Sequence, residues 1–134
     1  MRLVPWSELD LAEIHTTIRA TQVADGHPFP VALSEMEEDL TEPHFDVAKD
    51  AVAVVDAGRV IGWAKLFHEP SGARHERVLA SGGVVPDRRG EGIGSSLVEW
   101  QVRRGTALVA DYDHGLPAYL RTFEYTTQPG SAEL

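Results

Sequence analysis

The sequence predicts one α/β (α+β) domain built on a mixed sheet, and three observations carry that prediction. Apolar residues recur at helical spacing through Leu11, Ile14, His15 and Ile18, and again through Ile93, Leu97, Val98, Gln101 and Val102. Short β-branched or aromatic runs stand between these segments, at Ala51 to Val55, Val60 to Phe67 and Arg77 to Val85. The order of strand, helices, strand meander, helix and strand suits helices packed on a central sheet.

Met1 to Val4 reads as a short first strand. Ser7, with Asp10 three residues on, reads as the cap that opens the first helix. Gly26-His27-Pro28-Phe29-Pro30 must end that helix, because proline lacks the donor a helix needs. Ser34 and Glu37 form a second capping-box signal, with Met36 and Leu40 facing inward. Asp56-Ala57-Gly58-Arg59 joins the next two strands as a hairpin whose turn uses Gly58. Pro70-Ser71-Gly72 forms a loop, and the strand after it closes on Ser81-Gly82-Gly83-Val84-Val85. The following helix carries a defect at Gly105, a polar loop runs from Asp111 to Gly115 and ends at Pro117, and Ala118 to Tyr125 is the last strand. Trp63 and Trp100 are expected in the core or an interface, with Trp6 as a staple on the first helix.

At 134 residues, 43% hydrophobic and 25% charged, the chain has the size and composition of a single globular domain spanning residues 1–134. It has no cysteine, which excludes disulfides and thiolate metal sites. The six histidines show no close ligand spacing, so no metal is expected. No stretch approaches the length of a membrane span and the start has no apolar signal region, so the expectation is a cytoplasmic protein with no membrane partner. The net charge of -9 argues against nucleic acid, which needs a basic surface to displace counterions. Arg74, Arg77, Arg88, Arg89, Arg103 and Arg104 nevertheless cluster, while Glu35, Glu37, Glu38, Asp39, Glu42 and Asp46 crowd another segment. That division suits an anionic cofactor beside a cationic acceptor, and it equally suits plain solvated surface.

The segment from Val84 to Leu97 carries the most chemistry. It reads as a strand, a proline turn, a glycine-rich loop and a helix start. Glycines at 90, 92 and 94 leave room for an anion to approach backbone N–H groups near the positive end of the helix. Such a site suits a phosphate or pyrophosphate, with Arg88 or Arg89 adding a charged hydrogen bond. A Walker A loop is excluded because no lysine is present there. A dinucleotide fingerprint fails at Ser95 and Leu97, where it requires glycine.

Arg89, Gly92 and Gly94 match the three fixed positions of Gln/Arg-x-x-Gly-x-Gly/Ala, and the loop with its flanking strand and helix resembles the acetyl-CoA signature of the Gcn5-related N-acetyltransferase (GNAT) superfamily. The match runs from Ala51 to Val102 and is topological before that. It implies a mostly antiparallel mixed sheet flanked by helices, with acetyl-CoA as cosubstrate and no metal. It also implies that Arg89 and the amides of Gly90, Glu91, Gly92, Ile93, Gly94 and Ser95 hold the pyrophosphate. Gly82, Gly83 and Val84 would align the pantetheine arm, and glycines at 82 and 83 fit a bulge or a close backbone approach.

Acetyl transfer to an amine calls for a general base and for an acid to protonate the departing thiolate. Glu76, Ser81 and Glu124 are the weak candidates for the base, and Glu76 is equally an exposed charge at the end of a strand. The segment Thr126 to Leu134 resembles the start of the family's last helix without the strands that usually follow. The sequence therefore also resembles the N-terminal halves of tandem-GNAT proteins and predicts a domain shortened at its C-terminus. Two functions fit: direct transfer of acetyl to a small amine, or a non-catalytic acetyl-CoA-binding domain with a regulatory or partner role. An interaction domain that covers a sheet edge, in a homodimer for example, is the third.

Overall fold

A computed structural model describes residues 1–69, 76–111 and 118–122. It contains five strands in the order β1 (Arg2–Pro5), β2 (Ala51–Asp56), β3 (Arg59–Glu69), β4 (Glu76–Val84) and β5 (Ala118–Thr122) across one sheet. The first four pair antiparallel, and β5 lies parallel to β4. Three helices accompany them: α1 (Leu11–Ala24), α2 (Leu33–Asp39) and α3 (Ile93–Asp111). The mixed α/β architecture is the expected one.

Alternation along the strands divides the core between the two faces of the sheet. Ala51, Ala53 and Trp63 join Trp6, Ile14, Ile18, Met36 and Phe45 on the face that α1 and α2 cover. Val52, Val54 and Ile61 join Val85, Ile93 and Leu97 under α3, and Leu66, Val78, Ala80 and Leu108 continue that layer. Trp63 and Trp6 are core residues, with ring centroids 6.3 Å apart. Trp6 is no helix staple: it lies in a short 3-10 turn and donates its indole N–H to the Val52 carbonyl at 2.9 Å.

The β2–β3 hairpin turns through Ala57 and Gly58, both at positive φ (52° and 77°), as a tight two-residue turn requires. A register shift between Val54 and Val55 leaves Ile61 as the extra residue of a bulge in β3.

Both predicted helix caps differ from the observed ones. The carboxylate of Asp10, not the Ser7 hydroxyl, accepts from the Ala12 N–H and opens α1. Trp6 is buried and holds Ser7 in the preceding turn, so the helix cannot start earlier. α2 opens at Ala32 with no side-chain cap, which places Ser34 inside it. The first helix ends as glycine dictates: Gly26 takes φ +74°, and the N–H groups of Gly26 and His27 return to the carbonyls of Val23 and Gln22. No defect marks Gly105, because α3 runs unbroken through it and the residue is buried on the sheet side.

Asp50, just before β2, is nearly inaccessible (2%). One carboxylate oxygen accepts from the Asp46 N–H at 2.9 Å and the other from the Arg104 guanidinium of α3 at 2.8 Å. Removing Arg104 strands a buried charge, and such losses cost about 3 kcal/mol. Arg104→Ala is therefore expected to lower the denaturant midpoint sharply, while Arg103→Ala, at an exposed position of the same helix, leaves it nearly unchanged.

Candidate functional site

After β4 ends at Val84, Pro86–Arg88 form a 3-10 turn, and the glycine loop leads into α3. Gly90 and Gly92 hold φ values of +84° and +83°. Side chains there would cost about 1–2 kcal/mol each, so glycine is required by the backbone path. Gly94 has no such constraint. A Cβ at 90, 92 or 94 would meet nothing within 4 Å, so all three positions face open space. The Ser96 N–H makes the first bond inside α3, to the Gly92 carbonyl at 3.2 Å. The N–H groups of Ile93, Gly94 and Ser95 precede it and have no acceptor within the helix. Orphan donors at the positive end of a helix, beside glycines without side chains, are able to receive an anion.

The arginines beside the loop are engaged elsewhere. Arg88 grips Glu91 through Nε at 3.0 Å and Asp56 through Nη2 at 2.9 Å. Glu91, and after it Asp56, raise the Arg88 pKa further above its ordinary value, and Arg88 in turn holds the Asp56 carboxyl below the usual range. Arg59 meets Asp87 with two bonds, at 2.8 and 3.0 Å, which depresses the Asp87 pKa. Arg89 donates from Nε to the Val84 carbonyl at 2.9 Å and pairs through Nη1 with Asp25 at 2.8 Å. Arg88 and Arg89 are both ion-paired within the protein, which sequence reasoning did not anticipate. Glu91 lies three residues from Arg88, but the partners Asp56 and Asp25 are far away in sequence, and no local pattern announces those two.

The glycines at 82 and 83 answer to close approach. A Cβ on Gly82 would come within 2.7 Å of the Trp63 carbonyl, and one on Gly83 within 3.0 Å of the Thr21 side chain. The register between β3 and β4 runs without a shift through both residues, so this is tight packing and not a bulge. Ser81 lies opposite Lys65, on the face that carries Trp63 and Gly83. Its carbonyl accepts from Gln101 of α3 at 2.9 Å. Glu76 occupies the first position of β4, about 23 Å along the strand from Gly83 at the usual rise. Glu124 lies outside the described residues.

Lys65 is a residue that the sequence reading passed over, although a lysine in an apolar strand is itself a signal. Its ammonium is 3.7 Å from Asp39 at the end of α2 and 5.5 Å from the centre of the Phe67 ring. Burial lowers its pKa, and Asp39 partly opposes that shift. His27 and its neighbours form an ordered loop: Val31 donates its N–H to Gln22 at 2.8 Å, and His15 Nε2 donates to the Val31 carbonyl at 2.8 Å. Phe29 projects from this loop into solvent. Among the described residues, no group of three or more His, Asp or Glu is placed to hold a metal, and no helix is long and apolar enough to cross a membrane.

The family model described as Acetyltransferase (GNAT) family matches residues 12–112, from the first turn of α1 to the end of α3. The chain belongs to the GNAT acetyltransferase family. A GCN5-related N-acetyltransferase from Sphaerobacter thermophilus shares 26% identity with this GNAT domain at a TM-score of 0.61, over 87% of this chain and 34% of that one. The chain thus spans about a third of the length of that relative. An aminoglycoside N-acetyltransferase solved in complex with CoA superposes with a TM-score of 0.59 at 18% identity, over 94% of this chain and 76% of that one. An aminoglycoside 6'-N-acetyltransferase complexed with coenzyme A does so with a TM-score of 0.57 at 17% identity, over 81% and 57%. The last two show the shared fold. No curated protein matches the chain.

Two measurements test this geometry. Gly82→Ala must displace β4 from the Trp63 carbonyl and is expected to cost about 2 kcal/mol, whereas Gly94→Ala fills open space and leaves the melting temperature unchanged or slightly raised. The Lys65 shift also has a defined sign. A lysine whose folded pKa is depressed binds fewer protons folded than unfolded, so stability rises with pH in the window just below its ordinary value of 10.5. Lys65→Met is expected to remove that alkaline gain, read as unfolding free energy against pH for the two proteins.

Proposed function

We propose that this GNAT domain binds acetyl-CoA and transfers its acetyl group directly to a small amine. The observation that carries the proposal is the loop from Gly90 to Ser95, with open space at its glycines and orphan N–H groups at the start of α3. CoA in the two aminoglycoside acetyltransferases of the same fold supports it. On this proposal the pyrophosphate rests on the amides of Gly90, Glu91, Gly92, Ile93, Gly94 and Ser95. The pantetheine arm lies along the backbone of Gly82, Gly83 and Val84, as an added strand would.

The reaction then follows from ordinary chemistry. The amine nitrogen attacks the thioester carbonyl carbon, a backbone N–H near Gly83 receives the oxyanion, and the C–S bond breaks. The nitrogen gives its proton to a base or to water, and the CoA thiolate takes one up. The chain offers no cysteine for an acyl-enzyme intermediate, so transfer is direct within a ternary complex. The acidic surface of α2, with Glu35, Glu37 and Glu38 exposed, favours a cationic acceptor.

One observation favours the rival proposal of an acetyl-CoA-binding domain without turnover. Two carboxylates near the β3–β4 face are already engaged in ion pairs, Asp39 with Lys65 and Asp25 with Arg89. Calorimetric titration with acetyl-CoA, followed by an amine panel monitored for CoA release, separates the alternatives. Gly94→Glu adds a carboxylate to the open space without backbone strain and is expected to weaken acetyl-CoA at least about tenfold. Binding with release supports the enzyme, and binding without release on any amine supports the rival. A folded wild-type chain that binds no acetyl-CoA overturns both.

A further inference from the structure

We infer that Arg89 and Asp25 form a brace that sets the cofactor loop against the end of α1, so that Arg89 serves the site as a positioning residue and does not grip phosphate with its side chain. The inference rests on the acetyl-CoA proposal and deepens it.

Arg89 joins three parts of the fold. Its Nε holds the carbonyl of Val84, the last residue of β4, and so closes the turn that carries the loop. Its Nη1 reaches Asp25, which is the C-cap of α1. With Nε and Nη1 each held by a protein acceptor on a different element, the guanidinium plane is oriented by the fold. Asp25 also offsets part of its charge, which weakens the Coulomb attraction Arg89 offers a pyrophosphate.

Asp25 is itself well anchored. Its N–H returns to the Thr21 carbonyl, and the Thr21 hydroxyl accepts from the Trp63 indole at 3.0 Å. The residues after Asp25 turn through Gly26 into the ordered segment that Gln22 and His15 hold at Val31. The brace therefore links the loop at residues 89–95 to the loop at residues 26–31. Side chains at both ends keep substantial solvent exposure (41% and 35%), where an ion pair adds little stability. Its consequence is placement: Arg89 ties the start of the loop to the end of β4 and to the end of α1.

The test uses the opposite signs that the two roles give Asp25. Wild type, Asp25→Ala, Arg89→Ala and the double variant are titrated with acetyl-CoA. For a brace, Asp25→Ala weakens binding at least about fivefold, Arg89→Ala does the same, and the double variant is no worse than either. For a side chain that grips phosphate, Asp25→Ala frees a cation and holds or tightens affinity, which overturns the inference. A lowered melting temperature with unchanged affinity overturns it too. Hydrogen exchange without ligand gives a second readout. In Asp25→Ala the amides of both loops are expected to exchange faster, and unchanged exchange ends the brace whatever the titration shows. Failure of the wild type to bind would instead end the acetyl-CoA proposal.

Discussion

The contact among Trp63, Thr21 and Gly83 is the constraint on which the remaining geometry depends. The Trp63 indole donates to the Thr21 hydroxyl, which donates in turn to the Ile18 carbonyl at 2.8 Å. Gly83 leaves just enough space for both side chains, since a Cβ there would stand 3.0 Å from Thr21 and 3.1 Å from the indole nitrogen. A buried polar pair of this kind is costly to break, because each group would lose its only substitute for water. It locks α1 to β3 and β4 at one height. From that height follow the position of Asp25 one helical turn further on and the direction in which β4 delivers the chain to Pro86.

The loop itself is shaped by glycine and steadied by charge. Left-handed φ at Gly90 and Gly92 turns the backbone, the pairs Arg59–Asp87 and Arg88–Asp56 hold the turn before it to the β2–β3 hairpin, and Arg88–Glu91 ties that turn to the loop. These pairs are solvent-facing and salt-screened, so their contribution to stability is small. What they do is engage these cations within the scaffold, and on the proposed function the anion is left to backbone N–H groups. Backbone donors suit that work because they are fixed by the helix and carry no rotamer entropy.

Much of this arrangement was legible in the residues. The hairpin at Ala57-Gly58, the strand into Gly82-Gly83 and the glycine loop before an amphipathic helix each have short-range signatures, and all stand close to where they were expected. The errors were local ones with tertiary causes. Ser7 and Ser34 carry good capping spacing, yet burial of Trp6 withholds the first and the backbone at Ala32 opens α2 without a side chain. Gly105 has the look of a break, but packing against the sheet overrides a propensity cost of about 1 kcal/mol.

By itself the sequence determined the fold class, the hairpin and the glycine loop, because alternation, helical periodicity and positive φ are set by neighbours along the chain. Only the tertiary structure decided the partners of the charges. Arg89 meets Asp25, Arg104 meets Asp50 and Lys65 meets Asp39 across long stretches of sequence, and a Coulomb partner is chosen by distance in space. For the same reason the glycines at 82 and 83 could be recognised as special before folding, while what they make room for, the Trp63 carbonyl and the Thr21 side chain, could not.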